Sequence, residues 1–136
     1  MPWLPETRPR ALVGLIVFWC ILFTLTHIPG GRLPKIPFVI RDLLLHFFAF
    51  LILTILYMSA FPPRNKSLPQ YLFPMFSILV VYAGLDELLQ IPVPGRDGSL
   101  HDFLADVCGV ISAMIAVTGF RWVFLATRNS KDENLG

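Results

Sequence analysis

The sequence is short of charge, and the stretches without it are long. Eleven Lys or Arg and nine Asp or Glu residues are spread over 136 positions, of which 55% are hydrophobic. Ala11 to Ile28 carries no formal charge, and Leu43 to Phe61 has no Asp, Glu, Lys or Arg and holds one histidine, His46. Tyr71 to Leu85 is uncharged, and Phe103 to Phe120 is interrupted only by Asp106. A water-soluble domain needs a polar surface, and this chain has too few polar residues to build one. A helix of about 20 residues crosses the roughly 30 Å hydrocarbon core of a bilayer. The expected fold is therefore all-α: one integral membrane bundle of four transmembrane helices.

Other scarcities exclude other classes. There are two cysteines, Cys20 and Cys108, each inside an apolar run. A disulfide framework or a zinc site needs more thiols or a paired spacing, so both read as ordinary membrane-helix residues. A net charge of +2, with no stretch interleaving basic and aromatic residues, gives no footprint for nucleic acid. No serine lies in a nucleophile elbow, and no glycine-rich loop is placed to cradle a nucleotide. The basic N-terminus resembles the start of a signal peptide, but no small-x-small cleavage site follows the first apolar run. That run is expected to stay as an anchor.

What the chain does have is proline at its boundaries. Residues 1–10 read as a cytoplasmic N-terminus, 11–127 as a single membrane domain and 128–136 as a polar, frayed tail. Helix 1 is expected over 11–28, followed by a Pro- and Gly-rich loop to residue 40. Helix 2 should run from Arg41 to Phe61, where Pro62 and Pro63 stop it. Helix 3 should start near Gln70, with Pro74 in its first turn, and end at Ile91. Ser99 or Asp102 can cap helix 4, which should reach about Thr127.

Lysine and arginine set the expected orientation. With the N-terminus inside, the cytoplasmic side holds Arg8, Arg10, Arg64, Lys66, Arg121, Arg128 and Lys131. The outer side holds Arg32, Lys35, Arg41 and Arg96. Seven against four favours cytoplasmic termini, in a protein of the cytoplasmic membrane. The helix ends on the outer side then collect six of the nine acids and all three histidines.

Helical spacing tests whether those groups converge. Asp42 and His46 are four apart, Glu87 and Gln90 three, and Asp102 and Asp106 four, so each pair shares a face. Gly109, Ala113 and Ala116 continue the stripe of Asp106, and small residues there let helices approach closely. A buried acid in mid-membrane costs about 2.5–3.5 kcal/mol on insertion scales, so such groups face the interior and are paired. Arg41, Arg96 and His46 are the groups that could neutralise them. Asp97, His101 and Asp86 read as helix-end charges; His27 and Asp42 stand between the two classes. His46, Glu87, Asp102 and Asp106 read as the reactive set, with Arg96, Gln90, Ser99 and Asp42 as the groups that bind the substrate, Arg96 at its phosphate. Glu87, Asp102 and Asp106 supply oxygen ligands for a divalent cation, and His46 can move a proton near neutral pH.

The order of these residues resembles a known family. Asp42-x3-His46-Phe47, then Asp86-Glu87-x2-Gln90, then Arg96-x2-Ser99-x2-Asp102-x3-Asp106-x2-Gly109 is similar to the VanZ-like family, named for teicoplanin resistance. The resemblance covers roughly residues 12–126. Leu43 stands where that family commonly has lysine, Asp106 where it usually has asparagine, and Ala113 where it usually has glycine. The resemblance implies a four-helix membrane protein tied to glycopeptide-antibiotic resistance, with a suggested link to lipid-headgroup-processing proteins. Three functions fit: an enzyme that exchanges or hydrolyses a headgroup on a phospholipid or polyprenyl phosphate, a non-enzymatic binder of a lipid-linked cell-wall intermediate, and a small ion-coupled transporter. The transporter fits least well, because the polarity lies at one side only.

Overall fold

The computed structural model describes residues 8–29, 39–63 and 67–133, and among them it contains four α-helices and no strand. They are α1 (Pro9–Thr26), α2 (Val39–Ala60), α3 (Leu68–Gln90) and α4 (Leu100–Glu133). Each contains an apolar stretch long enough to cross a membrane. The chain is an integral membrane protein built on four such helices.

Local chemistry sets the helix ends. Pro9 opens α1, where a missing N–H removes nothing a first turn would use. Ser67 precedes α3, and its backbone N–H donates to Gln70 Oε1 at 3.1 Å, the returning half of a capping box. This cap starts α3 earlier than Gln70 and puts Pro69 in the first turn. Pro74 therefore lies inside the helix and not in its first turn as expected. It leaves the Gln70 carbonyl without its usual donor. Ser99 caps α4 by accepting the Asp102 N–H on Oγ at 3.4 Å. The expected tail past Thr127 is helical as far as Glu133. Arg128 to Glu133 contains neither Gly nor Pro, so nothing in it stops the helix.

Apolar side chains face outward along all four helices, among them Ile16, Phe73, Val81, Leu88, Ile115, Phe120 and Trp122. The polar residues are inside: Asp86, Asp106 and Thr54 are fully buried, with His46, Glu87 and Gln90 nearly so. This inverts the soluble pattern and suits a hydrocarbon solvent. Cys20 and Cys108 are free thiols on outward faces. Phe50, Leu53, Met75, Leu79, Ala83 and Val110 form the apolar core below the polar end.

The helices α2 and α4 form the central pair; α1 packs mainly on α2, α3 on α4, and α1 meets α3 only lightly. Gly109 sets the α2–α4 spacing. A Cβ there would overlap the Phe47 carbonyl and sit 3.0 Å from the Leu51 nitrogen. Gly109 and Ala113 are buried as the small-residue stripe anticipates, but Ala116 is exposed. The inward face drifts to Val117, which packs against the core. The start of α1 is pinned to the end of α2 by the Arg8 N–H, which donates to the Ala60 carbonyl at 3.1 Å.

Gly109→Ala is expected to lower thermal stability in detergent by about 1–3 kcal/mol, the usual cost of overpacking. Gly119→Ala, with open space around it, should leave stability unchanged or slightly raise it. Intrinsic-fluorescence melts of the two variants check the pair; equal melts would remove Gly109 as the spacing residue.

Candidate functional site

The end of α1, the start of α2, the end of α3 and the start of α4 meet at one end of the bundle. Three of them supply a buried imidazole and three buried carboxylates. His46 lies about two turns into α2, and its Nδ1 is 3.1 Å from Asp106 Oδ1 and 3.7 Å from Glu87 Oε1. Asp106 is brought there by α4, three residues before the close contact at Gly109. Its other oxygen, Oδ2, is buried and has no hydrogen-bond partner among the described residues.

Glu87 is held from the other side. The Ser99 N–H donates to its Oε2 at 2.8 Å, and Gln90 Nε2 lies 3.5 Å from Oε1. This requires the loop after α3 to fold back on the helix end. Gly98 permits it, because a Cβ there would come within 2.6 Å of the Glu87 carbonyl oxygen. Asp86 is fully buried. The Thr26 hydroxyl donates to its Oδ1 at 3.1 Å, and Gln90 Nε2 donates to its Oδ2 at 3.1 Å. Gln90 thus ties two adjacent carboxylates of α3 together.

Of the residues singled out from the sequence, His46, Glu87, Gln90 and Asp106 converge. Ser99 reaches them through its backbone and caps α4. Asp102 is half-buried in the first turn of α4, and its carboxylate makes none of the described hydrogen bonds. It stands at the rim and is not among the clustered ligand atoms; His46 takes that place beside Glu87 and Asp106, whose ligand atoms all lie within 4.8 Å of one another. Asp42 is exposed, as are Asp97 and His101. Asp42 shares a helical face with His46, but one turn nearer the start of α2 it no longer reaches the interior.

Arg96 does not pair with the acids among the described contacts. Its Nη2 donates to the Leu25 carbonyl at 3.0 Å and its Nε to the Ile28 carbonyl at 3.3 Å. A guanidinium at a helix C-terminus satisfies carbonyls that have no intrahelical donor and complements the helix dipole. The side chain of Arg41 lies outside the described residues, as do Arg32, Lys35, Arg64 and Lys66.

Comparison with family profiles, curated proteins and solved structures finds no match. The chemistry has to be read from the group itself. An imidazole between carboxylates can accept and return a proton, and an N,O,O set of ligand atoms can hold a cation. His27 stays outside this group. It ends α1, its ring stacks on Phe23 with centroids 4.1 Å apart, and its Nδ1 lies 2.8 Å from the Phe23 carbonyl oxygen.

Sequence reasoning set Asp86 aside as a helix-end charge and passed over Thr26. Spacing could have recovered Asp86: Met75, Leu79, Ala83, Asp86 and Gln90 recur at helical intervals and are all buried. Thr26 carried no such signal, because its role depends on where the end of α1 meets α3.

Arg96→Gln should lower stability by about 1.5–3 kcal/mol, the usual range for hydrogen bonds from a charged group. The measurement is chemical unfolding in micelles. Unchanged stability would return Arg96 to the role of a free phosphate-binding group.

Proposed function

We propose that this chain is a VanZ-like protein of the cytoplasmic membrane, with cytoplasmic termini, that processes the headgroup of a phospholipid or polyprenyl phosphate at the outer leaflet. The observation that carries the reading is the burial of His46, Glu87 and Asp106 together at one end of an otherwise apolar bundle. Buried ionisable groups in a membrane are costly and mark sites of chemistry or transport.

Two further features support a lipid. A groove of about 280 Å³ between α1, α2 and α3 is lined by apolar and aromatic side chains, including Leu15, Trp19, Leu79 and Tyr82. Tyr82 is one helical turn from Asp86, so a chain in the groove would bring its headgroup towards the polar end. The resemblance to the VanZ-like family adds the link to the cell envelope and to teicoplanin resistance. The lysine and arginine asymmetry supports the outward orientation.

In this reading an attacking water or alcohol gives up its proton to the polar centre as its oxygen bonds to phosphorus. The bond from phosphorus to the departing headgroup oxygen breaks, and that oxygen takes a proton back. A transport path fits less well: beyond Thr54, which donates to the Phe50 carbonyl at 2.7 Å, the described core holds the Tyr71 hydroxyl but no buried charged side chain.

His46→Ala and Glu87→Gln should each abolish turnover while the protein stays folded. Purified protein is incubated with radiolabelled phospholipid or polyprenyl phosphate and the lipids are separated. A product from wild type that both variants lack supports the reading. No product from wild type overturns it, and lipid that co-purifies and is recovered unchanged would identify a binder instead.

A further inference from the structure

The positive charge described around the polar end does not balance the negative. Asp86 and Asp106 are 0% exposed and Glu87 is 7% exposed, while among the described residues His46 is the one buried basic side chain beside them and His27, behind Thr26, is half-buried. Arg96 is engaged with carbonyls of the chain around the end of α1. A protonated His46 offsets one of three carboxylates. Leaving two buried charges without a counter-ion costs several kcal/mol for each, by the usual range for buried ions.

The three carboxylates are served unequally. Asp86 receives hydrogen bonds from Thr26 and Gln90, and Glu87 receives the Ser99 N–H. Asp106 has His46 alone, and its fully buried Oδ2 has no partner among the described residues. A buried carboxylate oxygen in that state calls for a proton, a water or a cation. The spacing of the neighbouring ligand atoms is compatible with a cation. Adjacent ligands of an ion bound at about 2.1 Å are separated by roughly 3.0–3.4 Å, from octahedral to tetrahedral. His46 Nδ1 lies 3.1 Å from Asp106 Oδ1 and 3.7 Å from Glu87 Oε1, and the ligand atoms of the three residues lie within 4.8 Å of one another, so the carboxylates have to close in to bring three ligand atoms onto one centre.

We propose that His46 Nδ1, Glu87 and Asp106 form the binding site of one divalent transition-metal ion of the Mn²⁺ or Zn²⁺ type. The nitrogen ligand favours such an ion over Mg²⁺ or Ca²⁺, which prefer oxygen alone. The ion's two charges offset Glu87 and Asp106, and Asp86 stays outside with its own two donors. Binding displaces the Nδ1 proton that otherwise bridges to Asp106. Three protein ligands leave coordination positions open to water or to a phosphate oxygen. Asp102, at the rim, is not a ligand.

The site goes beyond the lipid reading and does not depend on it, since binding is measured with no lipid substrate added. The full chain in detergent is stripped with EDTA and titrated with Mn²⁺, and the free ion is followed by electron paramagnetic resonance; Zn²⁺ and Mg²⁺ are then added as competitors. One saturable Mn²⁺ per chain is expected, displaced by Zn²⁺ and not by an equal concentration of Mg²⁺. Glu87→Gln and Asp106→Asn should each weaken binding by at least about tenfold, while Asp102→Asn stays within about twofold. Circular dichroism confirms that each variant is helical, and the wild-type titration decides even where a variant fails to fold. Absence of saturable Mn²⁺ or Zn²⁺ binding by folded wild type overturns the site. So does binding that survives both ligand substitutions, or an equal loss in Asp102→Asn.

Discussion

The close crossing of α2 and α4 at Gly109 is the constraint on which the rest of this structure depends. Gly109 lies against the backbone of Phe47, the residue after His46 and one turn below Asp106 on α4. Because the two backbones touch there, the imidazole and carboxylate just above them fall within hydrogen-bonding distance. In lipid there is little hydrophobic drive to bring helices together, so backbone approach and polar pairing supply the association. Here the two occur within a turn of each other. The packing contact positions the polar pair, and the polar pair favours the helix register that makes the packing contact.

From that crossing the site is completed by local devices of modest energy. The α3–α4 loop turns back over the end of α3 because Gly98 has no side chain, and the turn delivers the Ser99 N–H to Glu87. Gln90 holds Asp86 and Glu87 together from one turn further along α3. Thr26 and Arg96 join α1 to this end. The outcome is a polar assembly whose members are mostly satisfied, apart from one oxygen of Asp106.

Much of this was legible in the chain. Four uncharged runs give four helices, and proline and serine locate most of their ends to within a few residues. The pairing of His46 with Asp106 and Glu87 was approachable from helical spacing and matched depth. What spacing could not supply was lateral direction at the rim. Asp42 and Asp102 lie one turn before His46 and Asp106, yet one is exposed and the other half-buried, because the bundle opens there and a helical face no longer guarantees an interior. Arg96 was expected to seek a phosphate or a carboxylate; its actual partners are backbone carbonyls, which a pattern of side chains cannot reveal. Asp86 looked like an end charge because it precedes a proline-rich loop, although its neighbours on the same face are core residues.

α1 has an unusual attachment. At one end it is fixed by the backbone bond from Arg8 to Ala60, and at the other by Arg96 and Thr26. Between these points it rests on α2 and barely meets α3. The groove between α1 and α3 is therefore floored by α2 and joined across to α3 at the polar end, where Thr26 reaches Asp86. None of the side chains that line it takes part in the Thr26 and Arg96 contacts, so the shape of the groove and the geometry of the polar end are set by different residues.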